Sequence, residues 1–348
     1  MLISKELSDI ALNITEPEYR QMPELSYSTL STYERVGFNG LDHLFDKLET
    51  PSLLLGSLVD TAITGGQEEF DSLYFIADFS LGEKEQRIAD YLFNQFSTNY
   101  NSLEDLPSTY ILDAANTFEF QKNWKDETRV RVLTERCSHY YQLKYAAAGK
   151  TVVDTDTYNA AMNMVRALKE SPATSGYFAD NQEDSPIRRY YQLKFRADLE
   201  GVGYRGMMDL IIVDYFNKII YPCDLKTAGI PEWDFEDNFL KFHYYHQARL
   251  YWRLLRYNLD QDDYFKDFEL KNFKFIVVNR FHLTPLVWEF PLTKEYGTLV
   301  TENGEEIRDP FEIGKELRYY LDIKPMVPKG INRDGINTIK CLRKKGEE

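Results

Sequence analysis

Two apolar runs lie back to back in the second half of the chain: Met207-Met208-Asp209-Leu210-Ile211-Ile212-Val213 and Lys218-Ile219-Ile220-Tyr221-Pro222-Cys223, with Asp214-Tyr215-Phe216-Asn217 between them. Their length and the polar break predict two strands of a hairpin. Arg188 to Leu199 reads as the preceding strand, entered from a loop at Asp180 to Ser185 and turned by Gly201-Val202-Gly203 into the Asp209 strand. Phe273 to Asn279 and Leu286 to Phe290 read as two more. Elsewhere the spacing is helical. Thr50-Pro51-Ser52 starts a helix that Gly65-Gly66 stops. A mainly helical region follows from about Glu83 to Ala148, ended by Gly149-Lys150, then a helix from Asp156 to Ser171 and a closing helix from Phe311 to Leu321. This order predicts a mainly helical region at 1–180, a sheet core at 181–323 and a polar, partly basic tail at 324–348 that carries Lys340, Arg343, Lys344 and Lys345.

The chemistry concentrates in the hairpin. Asp209 lies inside an apolar strand, where a carboxylate is costly unless paired or bound to metal. The second strand closes with Asp224-Leu225-Lys226, and the period-two alternation of a strand points Asp224 and Lys226 to one face. Pairing of the two strands then brings Asp209 alongside them. Carboxylate oxygens suit a hard divalent cation such as Mg²⁺, which polarises a phosphoryl oxygen and activates a water for in-line attack. Lys226 is placed to orient that water or to stabilise charge on the phosphate. On the helix that follows, Gln247 and Tyr251 stand at i, i+4 on one face, within reach of a phosphate or the water.

These residues resemble the PD-(D/E)XK nuclease superfamily, in particular its exodeoxyribonuclease VIII-like and RecB-like members. The pattern of an Asp on one core strand, Asp/Glu-X-Lys on the next and Gln-X-X-X-Tyr on the following helix reads here as Asp209, Asp224-Leu225-Lys226 and Gln247-Ala248-Arg249-Leu250-Tyr251. Ser26-Tyr27-Ser28-Thr29-Leu30 is similar to the serine-rich entry segment of that family, and Leu55-Gly56-Ser57-Leu58-Val59-Asp60 to its Gly-X-X-X-His helix. Two positions depart. Asp60 stands where a metal-binding His is usual, and Tyr191 or Gln192 where a Glu is often found on the first core strand. An oxygen in place of a nitrogen shifts the preference toward harder metals. The resemblance implies an α/β fold, with a central mixed sheet flanked by helices and a helical N-terminal elaboration. It also implies a Mg²⁺- or Mn²⁺-dependent deoxyribonuclease, an exonuclease of recombination, repair or phage DNA metabolism. Asp60, Asp209, Asp224 and the Leu225 carbonyl would hold the metal, with Lys226, Gln247 and Tyr251 completing the site. The rival expectation is a non-catalytic DNA-binding or assembly protein that keeps a nuclease fold.

Composition adjusts this picture. The 56 acids against 41 Lys plus Arg give a net charge of −15, the opposite of a nucleic-acid surface. Yet no acid occurs from Asn238 to Leu259, where Lys241, Arg249, Arg253 and Arg256 interleave with aromatics. The three arginines fall at i, i+4, i+7, which predicts a stripe facing DNA phosphates, with aromatics stacking on single-stranded bases. Cys137, Cys223 and Cys341 are too few and too scattered for a disulfide framework, a zinc site or an iron–sulfur cluster. The five histidines show no zinc-hydrolase spacing; His243 and His246, three apart beside Gln247, read as surface residues, with the alternative that one of them stands near the site. No phosphate-binding Gly-rich loop with Lys-Ser/Thr appears, so no ATP is expected. The expected partner is DNA, with room for a homo-oligomer or a recombination partner protein. No membrane span or signal peptide is apparent, which predicts a cytoplasmic protein of a bacterial or phage-infected cell.

Overall fold

The computed structural model describes residues 3–45, 51–291 and 299–323. The chain divides into two compact units, the first made of residues 1–48 and 168–348, the second of 49–167. In the first unit, helices α1 (Glu16–Gln21) and α2 (Tyr27–Val36) come before the excursion into the second. There the order is α3 (Pro51–Thr64), α4 (Gly66–Leu73), β1 (Tyr74–Ala77), α5 (Glu83–Phe96), α6 (Ser108–Thr117), α7 (Asp126–Ala146) and β2 (Thr151–Asp154). Helix α8 (Thr155–Glu170) reaches the boundary. The first unit resumes with β3 (Ile187–Leu199), β4 (Val202–Asp214), β5 (Ile219–Ala228), α9 (Phe235–Lys241) and α10 (Tyr244–Asp260). It ends with β6 (Glu269–Leu270), β7 (Phe273–Asn279), β8 (Leu286–Phe290), β9 (Leu299–Val300), β10 (Glu306–Ile307) and α11 (Pro310–Ile323).

The main sheet has the order β3-β4-β5-β7-β8, with the short β6 also on β5. It is mixed: β5 runs parallel to β7 and β6, and the remaining pairs are antiparallel. Helix α10 packs on β3, β4 and β7 and against α2 and α11, which lie together. The core between them holds Tyr204, Met208 and Ile211 of β4, Leu250 and Leu254 of α10, and Phe275 and Val277 of β7. A separate core in the second unit gathers Ile88, Leu92, Ile111, Leu133, Tyr140 and Tyr141.

The expected strands and helices form, with three differences. The turn into β4 is Glu200-Gly201, both left-handed (φ 57° and 81°), so Val202 and Gly203 already belong to the strand. Two residues with positive φ make the tight two-residue hairpin whose twist matches its strands. The second unit contains a small parallel sheet, Tyr74–Ala77 on Thr151–Asp154, too short to leave a periodic signature. The domain boundary at residue 180 is also corrected, because the N-terminal segment belongs with the main sheet. Leu25 bridges Tyr204, the Leu12 amide donates to the Lys194 carbonyl (2.8 Å), and the Arg205 guanidinium donates to the Tyr19 carbonyl (2.6 Å). Cys341 and the basic tail lie outside the described residues.

Gly206 sets how closely α10 approaches β4. A Cβ there would sit 3.0 Å from side-chain carbons of Tyr251 and Leu254, tighter than normal packing. Gly206→Val should therefore lower unfolding stability by about 1–3 kcal/mol through overpacking, measured by denaturant titration. Unchanged stability would mean that α10 is not seated this closely.

Candidate active site

Strand register brings the two acids together. The β4–β5 ladder runs from Asp214–Ile219 to Leu210–Cys223 and stops one step short of Asp209 and Asp224, which stand at the same level on neighbouring strands. Past that point the Asp209 carboxylate Oδ2 accepts the Leu225 amide N–H at 3.0 Å, taking the place of a strand carbonyl. A residue in an extended strand presents its N–H and C=O to the same side, so the Leu225 carbonyl also faces β4 at this open end of the ladder. On the other side of β4 the pairing steps from Tyr191–Leu210 to Leu193–Met208 and omits the pair at Asp209's level, Gln192. Gln192 is left-handed (φ 54°), a strained state for a residue with a side chain. At Asp209 the β3 ladder is thus interrupted and the β5 ladder ends.

Asp224 is 1% exposed. Such a carboxylate must be neutralised or fully hydrogen-bonded. Lys226, two residues along the strand and on the same face as expected, puts Nζ 2.6 Å from Asp224 Oδ2. Gln247 Nε2 donates to Asp224 Oδ1 at 2.5 Å. That contact fixes the amide orientation and leaves Gln247 Oε1 buried without a partner among the described residues. Burial opposes the charge on Lys226, but the fields of Asp224, Tyr244 and Asp209 outweigh it and raise its pKa above the usual lysine value. Burial and the neighbouring acids push the Tyr251 hydroxyl well above its usual value, so it stays protonated. The Cys223 thiol, next to Asp224, is pushed up by burial to about 12 and is no nucleophile at neutral pH.

Two aromatic residues that sequence reasoning passed over complete the walls. Lys226 Nζ lies 4.6 Å from the centroid of the Tyr244 ring. Tyr27, from the serine-rich segment at the start of α2, packs on Tyr244 with centroids 6.4 Å apart and donates to the Phe242 carbonyl at 2.7 Å. Ser26 caps α2 by accepting the Thr29 amide. The signal was present in the tyrosines of Ser26-Tyr27-Ser28 and of the Gln247 helix, but nothing in their spacing connects the two.

The arginine stripe is corrected in two of its three members. Tyr245 to Trp252 are all buried, so the first half of α10 has no solvent face. Arg249 is 3% exposed and pairs with Asp309 at 2.5 Å. Arg256 pairs with Asp260 at 2.6 Å and donates to the Phe268 and Lys266 carbonyls. Arg253 is half-buried, and Lys241 is exposed at the end of α9. His246 is fully buried, contrary to its reading as a surface residue. Asp60 belongs to α3 of the second unit, whereas Asp209, Asp224, Lys226, Gln247 and Tyr251 all belong to the first.

The donor set fits a hard divalent cation. Asp209, Asp224 and the Leu225 carbonyl offer oxygens only, and the orphaned Gln247 Oε1 provides a buried acceptor beside them. No family model matches the sequence, and comparison with curated proteins found no match. Among solved structures, the chain aligns with a crystal structure named "Putative exonuclease" from Eubacterium rectale. The identity is 12% over 90% of this chain and 88% of that one, with a TM-score of 0.43. At that distance the likeness carries no argument about the activity of this chain.

Removing Lys226 leaves Asp224 as an unpaired buried charge. In metal-free buffer, Lys226→Met should cost about 3 kcal/mol of stability, and adding Asp224→Asn should recover most of it. Because the Lys226 pKa is raised on folding, the stabilisation is complete below the usual lysine value of 10.5 and is lost as pH rises through the raised value. Denaturant titration of the single and double variants at pH 8 and above pH 11 checks both statements; a double variant no more stable than the single would overturn the pairing.

Proposed function

We propose that this chain is a divalent-metal-dependent nuclease of the PD-(D/E)XK type that hydrolyses phosphodiester bonds of DNA, with exonucleolytic action implied by the resemblance of its motifs. The observation that carries the reading is the constellation on Asp224. A nearly fully buried carboxylate, level with Asp209 on the adjacent strand, is held by Lys226 on one oxygen and by Gln247 on the other. An ordinary structural ion pair has no need of a second acid at the same level, a ladder interrupted on one side and ended on the other, and an amide oxygen unpaired among the described residues.

In this reading Asp209, Asp224 and the Leu225 carbonyl hold the cation; Asp60 as a further ligand rests on the sequence alone. When bound, the cation polarises the phosphoryl oxygen and lowers the pKa of the attacking water. The chain supplies the rest. The Lys226 ammonium offsets charge that develops on the phosphoryl group, and burial strengthens that interaction. Gln247 Oε1 is the acceptor that orients the attacking water, while the protonated Tyr251 seats α10 on Gly206 and so fixes where Gln247 sits. The exposed Lys241 and the half-buried Arg253 are the basic side chains assigned to the DNA backbone. A non-catalytic assembly role is favoured by the net charge of −15 and by Tyr191 where a Glu is often found.

Cleavage of linear DNA should require Mg²⁺ or Mn²⁺ and stop in excess chelator; full activity with the chelator present would refute the proposal. In folded protein, Lys226→Ala should lower the rate at least about 10²-fold while Mg²⁺ affinity persists, whereas Asp224→Ala should lose both. Calorimetry showing equal loss of Mg²⁺ binding in the two variants would reverse these roles. For DNA binding, Lys241→Gln with Arg253→Gln should reduce the salt dependence of single-strand affinity by about 0.7 in log–log slope for each phosphate no longer neutralised. An unchanged slope would place the DNA on another surface.

A further inference from the structure

A second cluster of metal-ligating side chains lies beside this site and shares none of its residues. Glu34, on α2, and the first turn of α10 meet through one carboxylate oxygen. His243 Nδ1 lies 2.5 Å and His246 Nε2 2.8 Å from Glu34 Oε2. The three donor atoms all fall within 4.8 Å of one another. The His246 side chain is fully buried, that of Glu34 is 15% exposed and that of His243 32%. The rings are held in place by packing: Tyr245 stacks on His243 at 5.5 Å and meets His246 edge-on at 4.4 Å. His243 is also left-handed (φ 55°, ψ 41°), a backbone state that costs energy outside glycine.

A surface-type ion pair would need a single imidazolium beside the carboxylate. Here two imidazoles converge on the same oxygen, and one of them has no access to water. Two His and one Glu form a recurrent donor set for Zn²⁺, with bonds of roughly 2.0–2.2 Å in a tetrahedral arrangement. Such bonds set neighbouring donor atoms roughly 3.3 Å apart, so the two Glu34–His separations need to open by less than about 1 Å, while the two ring nitrogens already lie within 4.8 Å of each other. The partly exposed side of His243 leaves a route for a fourth ligand from solvent. Nitrogen donors select against Mg²⁺, which prefers an all-oxygen set such as that at Asp209 and Asp224. The two clusters therefore differ in chemistry as well as in position.

We propose that Glu34, His243 and His246 form a transition-metal site whose ion is Zn²⁺, distinct from the oxygen-donor site. The metal joins α2, which carries Tyr27, to the first turn of α10, where His246 directly precedes Gln247. Its role is positioning: it fixes the two helices that flank Asp224 and Lys226. The proposal stands whether or not the chain cleaves DNA.

The test uses the full chain, stripped with chelator and titrated with Co²⁺ alone and then with Zn²⁺. One Co²⁺ per chain should give the intense visible d–d absorption of a tetrahedral nitrogen-donor site, apart from any weakly absorbing Co²⁺ at the oxygen-donor site; this band should be displaced by Zn²⁺ and persist unchanged in the Asp209→Asn/Asp224→Asn double variant. His243→Ala, altering the most exposed ligand, should weaken binding at least 100-fold while the chain stays folded by circular dichroism; Glu34→Gln should do the same. Zn²⁺ should raise the melting temperature of the unaltered chain but not that of His243→Ala. The proposal is overturned if no Co²⁺ band appears, if His243→Ala binds as tightly as the unaltered chain, or if Asp209→Asn/Asp224→Asn removes the band.

Discussion

A buried carboxylate sets the terms for the centre of this protein. Asp224 is 1% exposed in the middle strand region of a mixed sheet, and an isolated charge there would cost more than most single interactions return. The surrounding chain is arranged to meet that cost. Lys226 comes from the same strand, Gln247 from the helix across the sheet, and Asp209 binds the Leu225 amide next door. Moving any of these elements by one residue would leave Asp224 uncompensated. Breaking such a pair costs more than forming it gains, so the cluster constrains register more than it adds stability.

Helix α10 carries that constraint through the first unit. Its first half is buried all round, yet it contains His246, Gln247 and Arg249, each engaged by an acid from a different element. Glu34 comes from α2, Asp224 from β5 and Asp309 from the segment before α11. Three polar contacts, spread over one turn, thus fix the helix against a second helix, the sheet and the C-terminal part of the unit. Gly206 permits the close approach this requires, and the N-terminal segment closes over β4 through Leu25 and Arg205. The same turn serves both proposed metal clusters, Gln247 at the oxygen site and His246 at the nitrogen site. Adjacent residues on a helix point about 100° apart, which is how one turn addresses two sites without sharing a ligand.

The sequence alone determined the local elements. Apolar runs of strand length, the polar breaks at Asp214–Asn217 and near Gly201, and the Pro51 and Gly65 punctuation gave most strands and helices to within a few residues. Alternation along a strand was enough to put Asp224 and Lys226 on one face, because that relation depends only on neighbours. The i, i+4 relation of Gln247 and Tyr251 was legible for the same reason.

Only the tertiary structure decided what depends on partners distant in sequence. Arg249 and Arg256 read as an exposed stripe because spacing reports which residues share a helix face, not what covers that face; Asp309 and the 266–268 turn cover it. The boundary at residue 180 failed because residues 1–48 join the sheet through backbone bonds to strands some 180 positions away, which no local pattern encodes. His246 is buried, not at the surface, because Glu34, 212 positions earlier, supplies its partner. The short β1–β2 pair escaped because four residues cannot establish a period. Periodicity is a property of neighbouring residues, whereas burial of a charge depends on the partner that the fold brings to it.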